Sequence, residues 1–264
     1  GAAESLDQYV QPDGRIVIVG GGKEAKDGRM FGDDATPEIF DPTTMLFTDT
    51  WFSNYPSRRI MGHAAAALPD GRLVIAGGYV GMHFGVADGG ATGRTLAFEI
   101  PTTVNYGEER RPNTVNSLIV IDTEAGVATE QPLSKPRVFP TLDRLRLPSG
   151  DVIVLAGGHP GIEEGDAYVC PITTPEFACR TLHLIHRRAG QSAACVRRDG
   201  EGACTALHLM GGGRGTFSEW LGGTQETFRV ASLDGAPNEE ARVLATAVAI
   251  SNHVLLIGGI EGGR

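Results

Sequence analysis

The side chains with chemistry to offer are few and dispersed. The chain of 264 residues has seven histidines, His63, His83, His159, His183, His186, His208 and His253. His183 and His186 share one stretch that reads as a strand. A spacing of three puts them on opposite faces, so they do not chelate one ion together. The sequence contains neither the nucleophile elbow G-x-S-x-G nor the zinc-helix pattern H-E-x-x-H. Gly20-Gly21-Gly22-Lys23 invites a phosphate-loop reading. The spacing G-x-x-x-x-G-K-[ST] is absent and no helical pattern follows, so that reading fails. Glu163-Glu164-Gly165-Asp166 offers carboxylates to a cation, but without an EF-hand pattern it reads as a solvated charged turn.

The four cysteines say more. Cys170 and Cys179 have eight residues between them, and so do Cys195 and Cys204. The second pair brackets Val196-Arg197-Arg198-Asp199-Gly200-Glu201-Gly202-Ala203, a hairpin turn. Residues flanking such a turn lie opposite each other, within bonding reach. The first pair brackets Pro171 to Ala178, another reversal. A zinc site is the rival, although neither pair has the C-x₂₋₄-C spacing of one. Four buried thiols are the third reading. Two local disulfides are favoured, each worth about 2–3 kcal/mol, and they imply an oxidising compartment.

These residues must be held by a scaffold, and the scaffold is repetitive. Leu68 to Gly78 reads LPDGRLVIAGG. Weaker copies are QPDGRIVIVGG from Gln11, LPSGDVIVLAGG from Leu147, ACTALHLMGG from Ala203 and ISNHVLLIGG from Ile250. Asp-Gly and Ser-Gly suit tight hairpin turns because glycine tolerates positive φ. The apolar run that follows reads as a buried strand, and the glycine pair ends it where backbones approach closely. Each copy is therefore an antiparallel hairpin. The first glycines are Gly20, Gly77, Gly157, Gly211 and Gly258, so the period is 57, 80, 54 and 47 residues. An all-β repeat of that size matches a propeller blade better than a β-sandwich with several similar hairpins.

The motifs then become specific. Arg58 or Arg59 precedes Asp70-Gly71 and Gly77-Gly78. Ile39-Phe40-Asp41-Pro42-Thr43-Thr44 is followed by Trp51, and Val120-Ile121-Asp122-Thr123-Glu124-Ala125-Gly126 precedes Pro136-Arg137. Aligning LPSG on LPDG sets Arg137 over Arg58, and Arg242 precedes the last copy in the same way. The chain resembles the kelch-repeat proteins over nearly its whole length. The resemblance implies an all-β, kelch-type β-propeller of four-stranded blades, with about four and a half blades in one domain, 1–264. The blades run approximately 1–57, 58–136, 137–189, 190–241 and 242–264, the last lacking its outer strands, which reads as a fragment of a larger propeller.

Composition bounds the partners. The net charge of −9 argues against a nucleic-acid groove and against an anionic membrane surface. No apolar run approaches the roughly 20 residues of a spanning helix, so membrane insertion is not expected. The segments after the glycine pairs share one end of the blades with the residues that enter each first strand. Candidate binding residues on that top face are Arg58, Arg137, Arg242, Tyr79, His83, His159 and Arg214. The arginines also have a structural reading, as internal partners of carboxylates or carbonyls. Gly22 to Gly28 reads as a polar loop, and Tyr79 to Val115 as a long insertion overhanging the face, functional or merely decorative.

The expected function is a non-catalytic, extracytoplasmic binding or scaffold module for a protein or carbohydrate ligand, with no metal and no cofactor. The kelch resemblance also admits a galactose-oxidase-like copper oxidase or a kelch-type sugar isomerase. Neither catalytic ligand set assembles from these residues.

Overall fold

A computed structural model describes residues 7–10, 14–24, 29–32, 37–50, 52–56, 60–88, 94–99, 103–106, 109–158, 165–173, 177–212, 218–230, 242–250 and 253–261. The first strands in chain order are β1 (Asp7–Val10), β2 (Ile16–Val19), β3 (Gly22–Glu24), β4 (Arg29–Gly32), β5 (Glu38–Asp41) and β6 (Leu46–Asp49). Next come β7 (Ala64–Ala67), β8 (Leu73–Ala76), β9 (Gly81–Asp88), β10 (Arg94–Glu99), β11 (Thr103–Tyr106), β12 (Glu109–Pro112), β13 (Ser117–Asp122) and β14 (Val127–Pro132). Then follow β15 (Thr141–Leu147), β16 (Gly150–Ala156), β17 (Asp166–Pro171), β18 (Arg180–His183), β19 (Ser192–Arg198) and β20 (Cys204–Met210). The last are β21 (Glu219–Gly222), β22 (Gln225–Val230), β23 (Arg242–Val243), β24 (Thr246–Ile250), β25 (His253–Ile257) and β26 (Ile260–Glu261).

All five glycine-terminated runs are second strands of antiparallel hairpins: β2, β8, β16, β20 and β25 pair with β1, β7, β15, β19 and β24. Four of the hairpins extend into four-stranded antiparallel sheets, ordered β1-β2-β5-β6, β7-β8-β13-β14, β15-β16-β17-β18 and β19-β20-β21-β22. The inner strands β1, β7, β15, β19 and β24 are neighbours in that sequence. The fold is all-β, and its sheets are of the kind that form propeller blades.

Strand parity decides which neighbour each side chain meets. Residues two and four before the first glycine face the preceding sheet, and residues one and three before it face the next. Val17 and Val19 therefore pack with Leu73, Ile75, Ile119 and Ile121. Val74 and Ala76 pack with Leu142, Ile153 and Leu155. Val154 and Ala156 pack with Cys204, Leu207 and Leu209. The core is thus a series of apolar layers between sheets, in which a fully buried Val, Leu or Ile contributes about 1.5–3 kcal/mol.

The aspartates of the outer hairpins have a local role. Asp41 Oδ1 accepts from the Thr43 and Thr44 amides at 2.8 and 3.4 Å. Asp122 Oδ1 does the same for Glu124 and Ala125 at 3.1 and 2.8 Å. Each carboxylate closes the turn between the third and fourth strands.

One expectation is corrected. Gly22 to Gly28 does not begin as a loop, since Gly22–Glu24 is β3, paired with β4. The long insertion carries the hairpins β9–β10 and β11–β12. Moreover β4 pairs with β9, so segments following two different glycine pairs form one sheet, β10-β9-β4-β3. Backbone groups in two facing extended segments satisfy one another across the gap, which the local composition of either segment does not reveal.

Candidate functional site

The insertion is anchored by a buried amide. Asn113 Oδ1 accepts from the Val80 and Gly81 amides at 3.1 and 2.7 Å, and Asn113 Nδ2 donates to the Gly81 carbonyl at 2.7 Å. Tyr79, between Gly78 and this clamp, is buried against Phe139, with ring centroids 5.4 Å apart. Burial raises the pKa of its hydroxyl. Tyr79 also exchanges backbone hydrogen bonds with Met61, both at 2.8 Å. It is a packing residue at the root of the insertion.

Arg137 is fully buried. Its Nη1 donates to the Gly157 carbonyl at 3.1 Å, and the guanidinium carbon lies 5.0 Å from the centroid of the Tyr168 ring. Arg242 is half-buried and donates from Nη1 to the Gly258 carbonyl at 2.9 Å. Arg188, absent from the sequence-derived set, donates from Nη1 to the Gly211 carbonyl at 3.1 Å. Each guanidinium therefore holds the glycine carbonyl that ends the second strand of its own sheet.

The backbone of the same arginines works in the other direction. The Gly78 amide donates to the Arg137 carbonyl at 2.6 Å, Gly158 to Arg188 at 3.0 Å and Gly212 to Arg242 at 2.9 Å. One arginine thus clips two consecutive sheets, receiving through its carbonyl from the preceding sheet and donating through its side chain within its own. The fourth such clip runs from Gly21 to the Ile60 carbonyl at 3.2 Å. Ile60, and not Arg58, takes the place equivalent to Arg137. Sequence alignment through the turns missed this because β7 has four residues where β15 has seven. Arg137 is fully buried, and its contacts match the internal one of the two readings of these arginines.

Arg188 has a second partner. Its Nη2 donates to Glu219 Oε1 at 2.5 Å, and both side chains are fully buried. Glu219 also accepts from the Ile185 and His186 amides at 2.6 and 2.9 Å. One carboxylate on β21 therefore fixes the segment that leads from β18 to β19. The sequence signal was present, since Arg188 stands four residues before an inner strand just as Arg137 and Arg242 do. The divergent turn of that copy concealed it.

Of the remaining candidates, Arg58, His159 and Arg214 lie outside the described residues. His83 falls on β9, in register with Arg29 of β4 on one side and Glu99 of β10 on the other. Of the other histidines, His183 Nδ1 lies 3.0 Å from Asp166 Oδ1, and burial lowers the pKa of His208. Among the described residues no group of three or more His, Cys, Asp or Glu is placed to hold a metal ion.

The cysteines are bonded as Cys170–Cys179 and Cys195–Cys204. The first ties β17 to the approach of β18, and the second crosses the β19–β20 hairpin near its turn. The turn end of the sheets carries ion pairs of its own. Arg146 meets Asp151, Asp199 and Glu201 at 2.7, 2.8 and 2.6 Å, which joins the turns of two sheets. Arg72 pairs with Asp70 at 2.7 Å and donates to the Ile172 carbonyl at 3.0 Å.

The two ends of the sheets thus differ. The turn end is closed by short ion-paired turns. The glycine end carries an additional sheet that no inner hairpin requires, and such an addition on a rigid scaffold is where binding surfaces arise.

No family model matches the chain, and neither does any curated protein. Among solved structures, that of YjhT is similar, with a TM-score of 0.63 over 98% of this chain and 77% of YjhT, at 12% sequence identity. The class defined by these sheets is all-β, built of four-stranded antiparallel units consistent with propeller blades. YjhT shares that fold, and at this identity the likeness extends to the fold alone.

Proposed function

We propose that residues 1–264 form a kelch-type β-propeller domain that acts as a non-catalytic, extracytoplasmic binding module for a protein or glycan. The ligand meets the glycine end of the sheets. The observation that carries this reading is the sheet β10-β9-β4-β3, assembled from segments that follow two separate glycine pairs. It brings Lys23, Arg29, His83 and Glu99 to adjoining strands in register or near it. Mixed basic and acidic positions on a paired sheet suit a polar ligand bearing a carboxylate, each charge-assisted bond contributing about 1.5–3 kcal/mol. The two disulfides support an oxidising compartment.

The test uses an array of acidic and neutral oligosaccharides together with an acidic peptide library. Probes retained by the protein are titrated at low and high salt. Binding is expected to weaken as salt rises. Lys23→Ala and His83→Ala, each checked for intact folding, should weaken it about tenfold or more, while Arg72→Ala at the turn end leaves it unchanged. Equal binding by all three variants, or loss only in Arg72→Ala, would place the site elsewhere.

A further inference from the structure

Arg137 and Arg188 hold equivalent places and differ in their counter-charge. Each stands four residues before an inner strand and donates from Nη1 to the glycine carbonyl of its own sheet. Each also meets the third-strand residue paired two positions before that glycine. In the sheet of Arg188 this residue is Glu219, opposite Leu209, and its carboxylate takes the Nη2 bond. In the sheet of Arg137 it is Tyr168, opposite Leu155, and the guanidinium lies over its ring. Tyr168 brings no negative charge. Arg137 is 0% exposed, and among the described residues neither Nε nor Nη2 has a hydrogen-bond acceptor. Asp166, two residues earlier on the same face of β17, engages His183 Nδ1 and Lys135 Nζ instead, at 3.0 and 3.6 Å. A buried guanidinium with no counter-charge and two donors without acceptors is strongly unfavourable.

We propose that Arg137 binds a small inorganic anion of chloride size, which does there what the Glu219 carboxylate does at Arg188. Glu219 also accepts from the Ile185 and His186 amides, three and two residues before Arg188. Ser134 and Lys135 hold those same places before Arg137. The anion accepts from Arg137 Nε and Nη2, with the Ser134 and Lys135 amides placed as further donors. The hydroxyls of Ser134 and Tyr168 are hydrogen-bonded to each other, which uses one of their two protons and leaves the other to donate.

Charge and burial select the ligand. Water would satisfy the two guanidinium donors but leave the charge uncompensated. A halide is acceptor only, so it brings no donor that would itself need a partner. Full burial excludes sulfate, phosphate and organic acids, which are larger. The site lies between two sheets in the interior and is separate from the ligand surface on β10-β9-β4-β3.

Two measurements on the unmodified protein test the proposal. Crystals grown with bromide in place of chloride should show an anomalous peak at hydrogen-bonding distance from Arg137 Nη2. Thermal unfolding in sodium chloride and in sodium gluconate, at equal ionic strength, should give a Tm higher in chloride by roughly 5 °C. Two variants then locate the effect. Tyr168→Glu supplies a carboxylate at the position of Glu219, and its Tm should be the same in both salts. Arg137→Met removes the charge and should also lose the dependence on chloride, whereas Arg72→Ala at the turn end should keep it. The proposal is overturned by equal Tm values of the unmodified protein in the two salts, by a bromide map without a peak at Arg137, or by a chloride dependence that survives Arg137→Met. If neither variant folds, the bromide map and the salt comparison of the unmodified protein decide.

Discussion

Glu219 illustrates how much one buried carboxylate holds. It receives the Arg188 guanidinium and two backbone amides while fully buried. Removing one member of such a pair leaves the other charge buried, at a cost of about 3–5 kcal/mol. Glu219→Leu also strands two amide donors, at about 1–3 kcal/mol each. Glu219→Leu should therefore destabilise the protein more than Arg188→Met in urea unfolding. Equal losses would show that the two amide bonds contribute no more than the bond from Arg188 to the Gly211 carbonyl. Asp143 behaves in the opposite sense. It shares a face of β15 with Leu145, and burial pushes its carboxyl up to about 7. The folded state then binds a proton more tightly than the unfolded chain, so the residue carries no penalty below about pH 4. A penalty grows between about pH 4 and 7 and is constant above. Because the residue is partly exposed, roughly 2 kcal/mol is the expected scale. Asp143→Asn should stabilise the protein at pH 8 and have little effect at pH 4, as read from paired urea titrations.

Among the elements, the glycine pair makes the most specific demand. Gly77 has φ of 69° and Gly258 has φ of 68°, so the backbone strain of a substitution is the same at both. Their surroundings differ. A Cβ at Gly77 overlaps the Arg137 carbonyl, while one at Gly258 finds open space. Gly258→Ala should cost about 1–2 kcal/mol, the strain alone. Gly77→Ala should cost several kcal/mol more, because the clip between two sheets must separate. Comparable unfolding midpoints for the two variants would mean that the clip is not needed. The hairpins themselves were legible: turn residues, a β-branched run and a glycine pair give a period-two strand wherever they occur. The sheet of β3, β4, β9 and β10 was not. Its strands come from two insertions far apart in the chain, and Gly-rich segments such as Gly81 to Asp88 carry no clear alternation of their own.

At the scale of the whole molecule, consecutive sheets share apolar layers and backbone clips, so each sheet is stabilised by its neighbours. Calorimetry should record one transition. Each disulfide closes a loop inside a single sheet, Cys170–Cys179 in one and Cys195–Cys204 in the next, at a sequence separation of nine. Reduction should lower stability by about 2–3 kcal/mol per bridge and Tm by roughly 5–15 °C. The transition should move without dividing. A second, lower transition after reduction would mean that those two sheets are independent of the rest.

The sequence by itself determined the five inner hairpins. Local chemistry specifies a hairpin, because turn geometry and strand alternation depend on residues a few positions apart. For the same reason it brought the cysteines of each pair within bonding reach. Tertiary structure supplied the carbonyl partners of the arginines. Arg137 and Arg242 look identical in sequence whether or not they meet a carbonyl, and the carbonyls they meet belong to glycines twenty and sixteen residues away. It also substituted Ile60 for Arg58, added Arg188, and joined two distant insertions into one sheet. Those outcomes depend on which segments approach through space, and a one-dimensional pattern holds no record of that distance until the chain has folded.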